Sequence, residues 1–168
     1  MNAELPTDAR AVVVTASNRA SAGVYADRSG EALAAGLRDL GFTVDGPHVC
    51  RDDVDDLAEV LREAVASGAD VVLTTGGTGL TPTDVTPEAT RAVLERDAPG
   101  IAEAVRRYGE DHVPTSVLSR GVAGTAGRTL IVNLPGSTGG VRDGLAVLSP
   151  LLPHVVTQLR GGDHEATS

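Results

Sequence analysis

The residues with the strongest claim to chemistry form one glycine-rich turn, TTGGTGLTPTDVTP, at positions 74–87. Gly76, Gly77 and Gly79 let the backbone take positive φ and approach a ligand closely, so that N–H groups can donate to an anion. Thr75 and Thr78 add hydroxyl donors, and Asp84 supplies a carboxylate just downstream. The simpler reading is a tight turn with Asp84 as a local acceptor. The density of glycine, threonine and acid exceeds what a turn requires, and phosphate binding is the expectation.

A second acidic turn, Cys50-Arg51-Asp52-Asp53, also follows a strand-like run. Asp52 stands where a helix N-cap is wanted, and capping alone would explain it. The functional alternative needs Asp52 and Asp84 to converge. Two unit negative charges 4 Å apart repel by about 4 kcal/mol at an effective dielectric near 20. An acid beside a phosphate is therefore favourable only with a cation between them, or where the acid accepts a proton. Magnesium held by one or two carboxylates and substrate phosphates meets both conditions, with Asp52 or Asp84 as ligand.

Two further loops stay open between structural and functional readings. Residues 17–30 carry Ser17, Arg19, Asp27 and Arg28, either a polar connector capped by Ser29 or a pair of arginines that clamp phosphates. Asn133-Leu134-Pro135-Gly136-Ser137 is either a strand terminator or a ligand loop. Ser119-Arg120 follows an apolar stretch in which Leu118 reads as core.

Several chemistries are excluded. The sequence holds no lysine, all 14 basic residues being arginine, so Schiff-base, PLP and Walker-loop chemistry lack their amine. The dinucleotide fingerprint fails because Pro82 stands where a third glycine is needed, and no G-x-S-x-G elbow surrounds Ser119 or Ser137. His48, His112, His154 and His164 lack metal-ligand spacing and read as surface or satisfied structural residues. The single cysteine, Cys50, excludes an internal disulfide and reads as a small buried hydrophobe. A net charge of −9 argues against nucleic-acid binding. No apolar run is long enough for a membrane helix and no leader pattern opens the chain, so a cytoplasmic protein is expected.

The elements that must position these residues alternate between strand and helix patterns. Strands are expected at 10–17, 42–49, 70–75 and 128–134. Helices are expected at 29–40, 53–66, from Thr86-Pro87 with Thr86 as N-cap, 99–111, 139–148 and 150–159. Such alternation predicts one mostly parallel sheet covered on both faces. Ligands of such sheets collect at the carboxyl ends of the strands, where all four loops would meet. With 168 residues the chain is expected to be one domain, 1–168, with a core of about 10–160 and mobile tails.

TTGGTGLTPTDVTPEAT, followed by PGIAEAVR, LSR and NLPGS, together with SNRASAGVYADRSG, resembles the MogA/MoaB family of molybdenum-cofactor biosynthesis proteins. The resemblance implies a three-layer α/β/α sandwich with a mostly parallel, mixed sheet, forming a molybdopterin-binding domain that is usually trimeric. It implies Mg-ATP-dependent adenylylation of molybdopterin by a molybdopterin adenylyltransferase, with pyrophosphate leaving and a molybdate-inserting protein acting next. Asp52 and Asp84 match the family's essential acids, and Gly76, Gly77, Thr78 and Gly79 its phosphate cradle. Ser17, Ser119, Asn133 and Ser137 match ligand-loop positions. A non-catalytic molybdopterin carrier, or a regulatory or assembly module binding a partner protein, are the alternatives. The chain departs from the family at Asn18, often aspartate, and at Thr138-Gly139-Gly140, commonly begun by proline.

Overall fold

The computed structural model describes residues 3–162. Among these, six strands form one sheet: β1 (Arg10–Ala16), β2 (Thr43–Cys50), β3 (Val71–Thr75), β4 (Arg96–Asp97), β5 (Ala123–Ala126) and β6 (Thr129–Leu134). Their order is β2-β1-β3-β6-β5-β4. The first four in that order are mutually parallel, and β5 runs antiparallel to both β6 and β4. The sheet is mixed, as expected.

Helices cover both faces. After the single turn α1 (Asn18–Ser21), α2 (Arg28–Asp39), α5 (Pro99–Glu110), α6 (Thr138–Leu148) and α7 (Leu152–Leu159) pack on one side, through Leu33, Leu37, Val105, Val141, Leu148 and Val156. α3 (Val54–Ala66) and the short α4 (Thr86–Arg91) pack on the other, through Leu57, Leu61, Ala64 and Ala89. The strands divide their side chains with period two. Ala11 and Val13 face the first group, Val12 and Val14 the second; Leu130 and Val132 oppose Ile131. Burial of each leucine contributes about 2 kcal/mol, and it is this face, more than intrinsic propensity, that holds short helices to the sheet. The result is a three-layer α/β/α fold.

The chain leaves β1 toward β2 on one side and leaves β3 toward the other, reaching β4 at the far edge beyond β6 and β5. The gap between the ends of β1 and β3 is therefore the topological switch point, where a crevice opens in such sheets.

Before Arg10, Ala9 is buried and Leu5 packs against the first core group. The expected mobile tail falls largely after residue 162, outside the described residues, as does His164. No helix among the described residues is long and apolar enough to cross a membrane.

Candidate active site

A cavity of about 430 Å3 lies at the switch point. It is lined by Ser17, Asp52, Thr75, Gly76, Gly77, Asp84 and Gly136 of the expected residues, together with Thr15, Tyr25, Asp27 and Arg28. Asp52 and Asp84, from turns after β2 and β3, thus line the same cavity.

The glycine turn has its shape for steric reasons. Gly76 and Gly77 have φ of 92° and 69°, a region side chains rarely adopt. A Cβ on Gly76 would lie 2.4 Å from the Ala16 carbonyl oxygen. Thr86 Oγ1 donates to the Gly76 carbonyl at 2.9 Å and the Thr86 N–H donates to the Gly77 carbonyl at 3.1 Å. Thr86 is therefore not the N-cap of α4. Val85 takes that position without a side-chain bond, and Thr86 is turned inward to hold the glycines.

Asp52 is not a cap either. Asp53 caps α3 by accepting from the Asp56 N–H at 3.0 Å. Asp52 Oδ2 accepts from the Asn18 N–H at 3.1 Å, and its Oδ1 is buried with no hydrogen-bond partner. Burial pushes the Asp52 carboxyl above its ordinary pKa, the Asp84 charge adds to that, and the Asn18 N–H partly offsets both. An unpaired buried carboxylate oxygen is costly. Asp84 is partly spent locally: its Oδ2 accepts from the Thr81 N–H at 3.1 Å and from Thr81 Oγ1 at 2.7 Å. α2 is capped by Asp27, which accepts from the Gly30 N–H at 3.0 Å, and not by Ser29.

The remaining expected residues, Thr78, Gly79, Ser119, Asn133, Pro135 and Ser137, line a second cavity of about 340 Å3. The stretch 76–79 is the wall between the two. Ala102, Val105, Val113 and Leu118 give the second cavity apolar lining. Asn133 is there, but its side chain is fully used. Its Nδ2 donates to Thr74 and Thr90 Oγ1 at 3.0 and 2.9 Å, and its Oδ1 accepts from the Val122 N–H at 3.1 Å. Its role is to tie β3, α4 and β6 together beneath the loops. Ser137 caps α6 through the Gly140 N–H at 3.0 Å, so Thr138 opens that helix as an ordinary residue. Leu118 is 50% exposed rather than core.

Most of the arginines near the site are engaged by protein. Arg51 pairs with Asp56, Arg106 holds the Gly121 carbonyl at 2.9 Å, and Arg120 binds the glycine turn. Arg28 in the first cavity and Arg142 in the second have no side-chain partner among the described residues. The loop 17–30 had suggested a cation, and Arg28 is the one that lines the cavity. His112, read as structural, accordingly pairs with Asp143 at 2.9 Å, but both line the second cavity. Nothing in their spacing marked them.

Among the described residues no cluster of three or more acid, histidine or cysteine side chains could hold a metal alone. Asp52 and Asp84 with phosphate oxygens fit a magnesium ion, because the orphaned Asp52 Oδ1 lacks a cationic partner.

The probable molybdopterin binding domain family matches residues 12–154. The chain is 38% identical to a molybdopterin adenylyltransferase of Helicobacter pylori, covering 89% of this chain and 86% of that protein. It is also 38% identical to a molybdenum cofactor biosynthesis bifunctional protein of Synechococcus elongatus, over 92% of this chain. The chain spans only about half the length of that relative and of another bifunctional one, at 48% and 50%. A solved MogA structure is 54% identical, with a TM-score of 0.86 over 89% of this chain and 99% of that one. The match across nearly the whole fold places this chain in the MogA/MoaB family of molybdenum cofactor biosynthesis proteins.

Proposed function

We propose that the chain is a molybdopterin adenylyltransferase using ATP and Mg2+. The observation that carries this reading is the buried, unpartnered Asp52 Oδ1 in a cavity shared with Asp84 and the glycine turn. A carrier of a phosphorylated ligand gains nothing from an orphaned carboxylate, whereas phosphoryl chemistry uses one to place a cation. The name of the Helicobacter relative gives further support.

A phosphate oxygen of molybdopterin attacks the α-phosphorus of ATP. The bond from that phosphorus to the bridging oxygen breaks, and pyrophosphate leaves. The nucleophile is already an anion, so catalysis is mainly alignment and charge neutralisation. Gly76 and Gly77 present backbone N–H groups to phosphate. Ser17 supplies a polar contact in the first cavity and Thr78 in the second, whereas the buried Thr75 hydroxyl, expected as a ligand donor, donates instead to the Pro135 carbonyl at 2.7 Å and holds the turn against the loop after β6. Arg28 and Arg142 supply the positive charge that a lysine would elsewhere. Asp52 and Asp84 would hold magnesium, which when bound offsets charge on the transferred and leaving phosphates. The apolar second cavity, with Ser119, Pro135 and Ser137 at its border, suits a flat heterocycle. A homotrimer, a cytoplasmic location and a downstream molybdate-inserting partner belong to the same proposal, the last supported by the bifunctional relatives' names.

The test is pyrophosphate release by the purified chain with ATP and Mg2+. Release that requires molybdopterin is expected. Tight molybdopterin binding without release would establish the carrier instead, and binding of neither substrate would leave the partner-protein module.

A further inference from the structure

The exposed arm of the glycine turn, residues 80–83, has little burial to hold it in place. What crosses its base is one side chain. Arg120 Nε donates to the Gly79 carbonyl at 2.8 Å and Nη2 donates to the Asp84 carbonyl at 2.7 Å. Its Nη1 donates to the Glu88 carboxylate in the first turn of α4. The Arg120 N–H also donates to the Thr78 carbonyl at 2.8 Å. A single guanidinium therefore joins the residue before the arm, the residue after it and the helix that follows. Arg120 lines neither of the two cavities; it borders a separate depression with Arg91, Asp97 and Arg106.

We propose that Arg120 is a positioning residue, a strap that fixes the Gly79–Asp84 arm and so presets Asp84 before substrate arrives. This rests on the functional reading only for its catalytic consequence. The planar fork of arginine can satisfy carbonyls on two sides and a carboxylate on a third edge at once, and a lysine ammonium on its flexible stem cannot. The ion pair with Glu88 is exposed and contributes little by itself. Its three-way geometry is what matters. The acidic partner responds as expected, the Arg120 guanidinium holding the Glu88 carboxyl below its ordinary pKa.

Two measurements on the full chain test this. In hydrogen exchange of the ligand-free protein, Arg120→Lys speeds exchange at the Thr81, Asp84 and Thr86 amides by about tenfold, because the arm opens locally. Amides of β1 and β3 keep wild-type protection, which shows that the variant is folded; Arg120→Gln behaves alike. Unchanged protection at those three amides overturns the strap, whatever the activity of the chain. The second measurement is a double-mutant cycle on pyrophosphate release. Arg120→Lys lowers kcat about tenfold in the wild-type background and less than about twofold in Asp84→Asn, since groups acting as a unit are not additive. The full loss in both backgrounds would mean that Arg120 does not act through Asp84. A wild-type chain that releases no pyrophosphate refutes the adenylylation reading alone, and exchange then decides the strap.

Discussion

Asn18 and Asp52 grip each other through two reciprocal hydrogen bonds: the Asn18 N–H donates to Asp52 Oδ2 at 3.1 Å, and the Asp52 N–H donates to Asn18 Oδ1 at 2.9 Å. The pair locks the loop after β1 to the turn after β2 and leaves Asp52 Oδ1 as the free oxygen. Asn18→Asp keeps an acceptor for the Asp52 N–H and adds a second negative charge. The Asp52 carboxyl then titrates at higher pH than in wild type, which carboxyl carbon NMR detects directly. A midpoint that stays put or falls would show the two groups uncoupled. Asn18→Ala removes about one hydrogen bond, roughly 1 kcal/mol or fivefold in turnover if that energy is spent on placing Asp52.

Asp84→Asn retains an oxygen for the Thr81 bonds, so its melting temperature stays near wild type. Turnover falls about a hundredfold, the range seen for loss of one electrostatic catalytic group. The same variant lowers the Asp52 midpoint, because the Asp84 charge that adds to the effect of burial is gone. Normal turnover in Asp84→Asn would remove Asp84 from the chemistry.

Asp52 exacts a stability cost that its pKa direction makes visible. Its native carboxyl is raised above the unfolded value, so the native state binds the proton more tightly. Stability therefore falls as pH rises from the unfolded pKa, near about 3.9, through the native one, and remains at the lower level above it. Asp52→Asn removes this dependence. Thermal melts between acid and neutral pH are expected to show the variant at least as stable as wild type at neutral pH, though inactive. A large drop in its melting temperature would make Asp52 structural.

At the opposite end of the sheet the sign reverses. Burial alone would raise the Asp70 carboxyl, but the Arg160 guanidinium and the Arg10 N–H bring it below its ordinary range. Arg160 Nε and Nη2 reach the two carboxylate oxygens at 2.8 Å each, clasping the end of α7 to the start of β3. This stability is present above the unfolded pKa and is lost as pH falls through it toward the lower native value. Asp70→Ala is expected to cost about 2 kcal/mol at neutral pH, as for losing hydrogen bonds to a charged group, and to flatten the acid limb of urea-denaturation midpoints against pH. An acid limb identical to wild type would refute the clasp.

Gly76→Ala combines a left-handed φ with a Cβ driven onto the Ala16 carbonyl. Strain of that kind costs about 1–3 kcal/mol, read as a lower denaturation midpoint. Gly100→Ala, where a Cβ meets nothing within 4 Å, is the control and is expected to leave the midpoint near wild type.

The reach of the sequence differs from element to element. β1, β3 and β6 are legible because strands buried on both faces leave dense β-branched runs such as VVVT and TLIVNL. β5, with the small residues AGTA, and the two-residue β4 carry no such signal; they exist because β6 leaves an edge that their backbones can pair. The 3-10 turn Pro114–Leu118 was likewise unmarked. Asp52 and Asp53 are adjacent acids before one helix, and sequence offers no way to say which caps it. Only the path of the backbone decides, and it gives the cap to Asp53 and frees Asp52. Thr86 had every local mark of an N-cap, but the buried Gly76 carbonyl is a partner that only the folded chain provides.

By itself the sequence marked the glycine turn as the candidate anion site and determined the absence of lysine chemistry, the alternating α/β pattern and the acids worth watching, because these are local properties of residue type and spacing. Tertiary structure alone decided that Asp52 and Asp84 line one cavity, that one oxygen of Asp52 is left unpaired, that the predicted residues divide between two cavities, and that Arg120 is spent on the turn while Arg28 lines the first cavity. Those outcomes depend on strand order. β1 must insert between β2 and β3 to bring distant loops to one edge, and that placement is set by the burial of two core faces, which no short stretch of the chain contains.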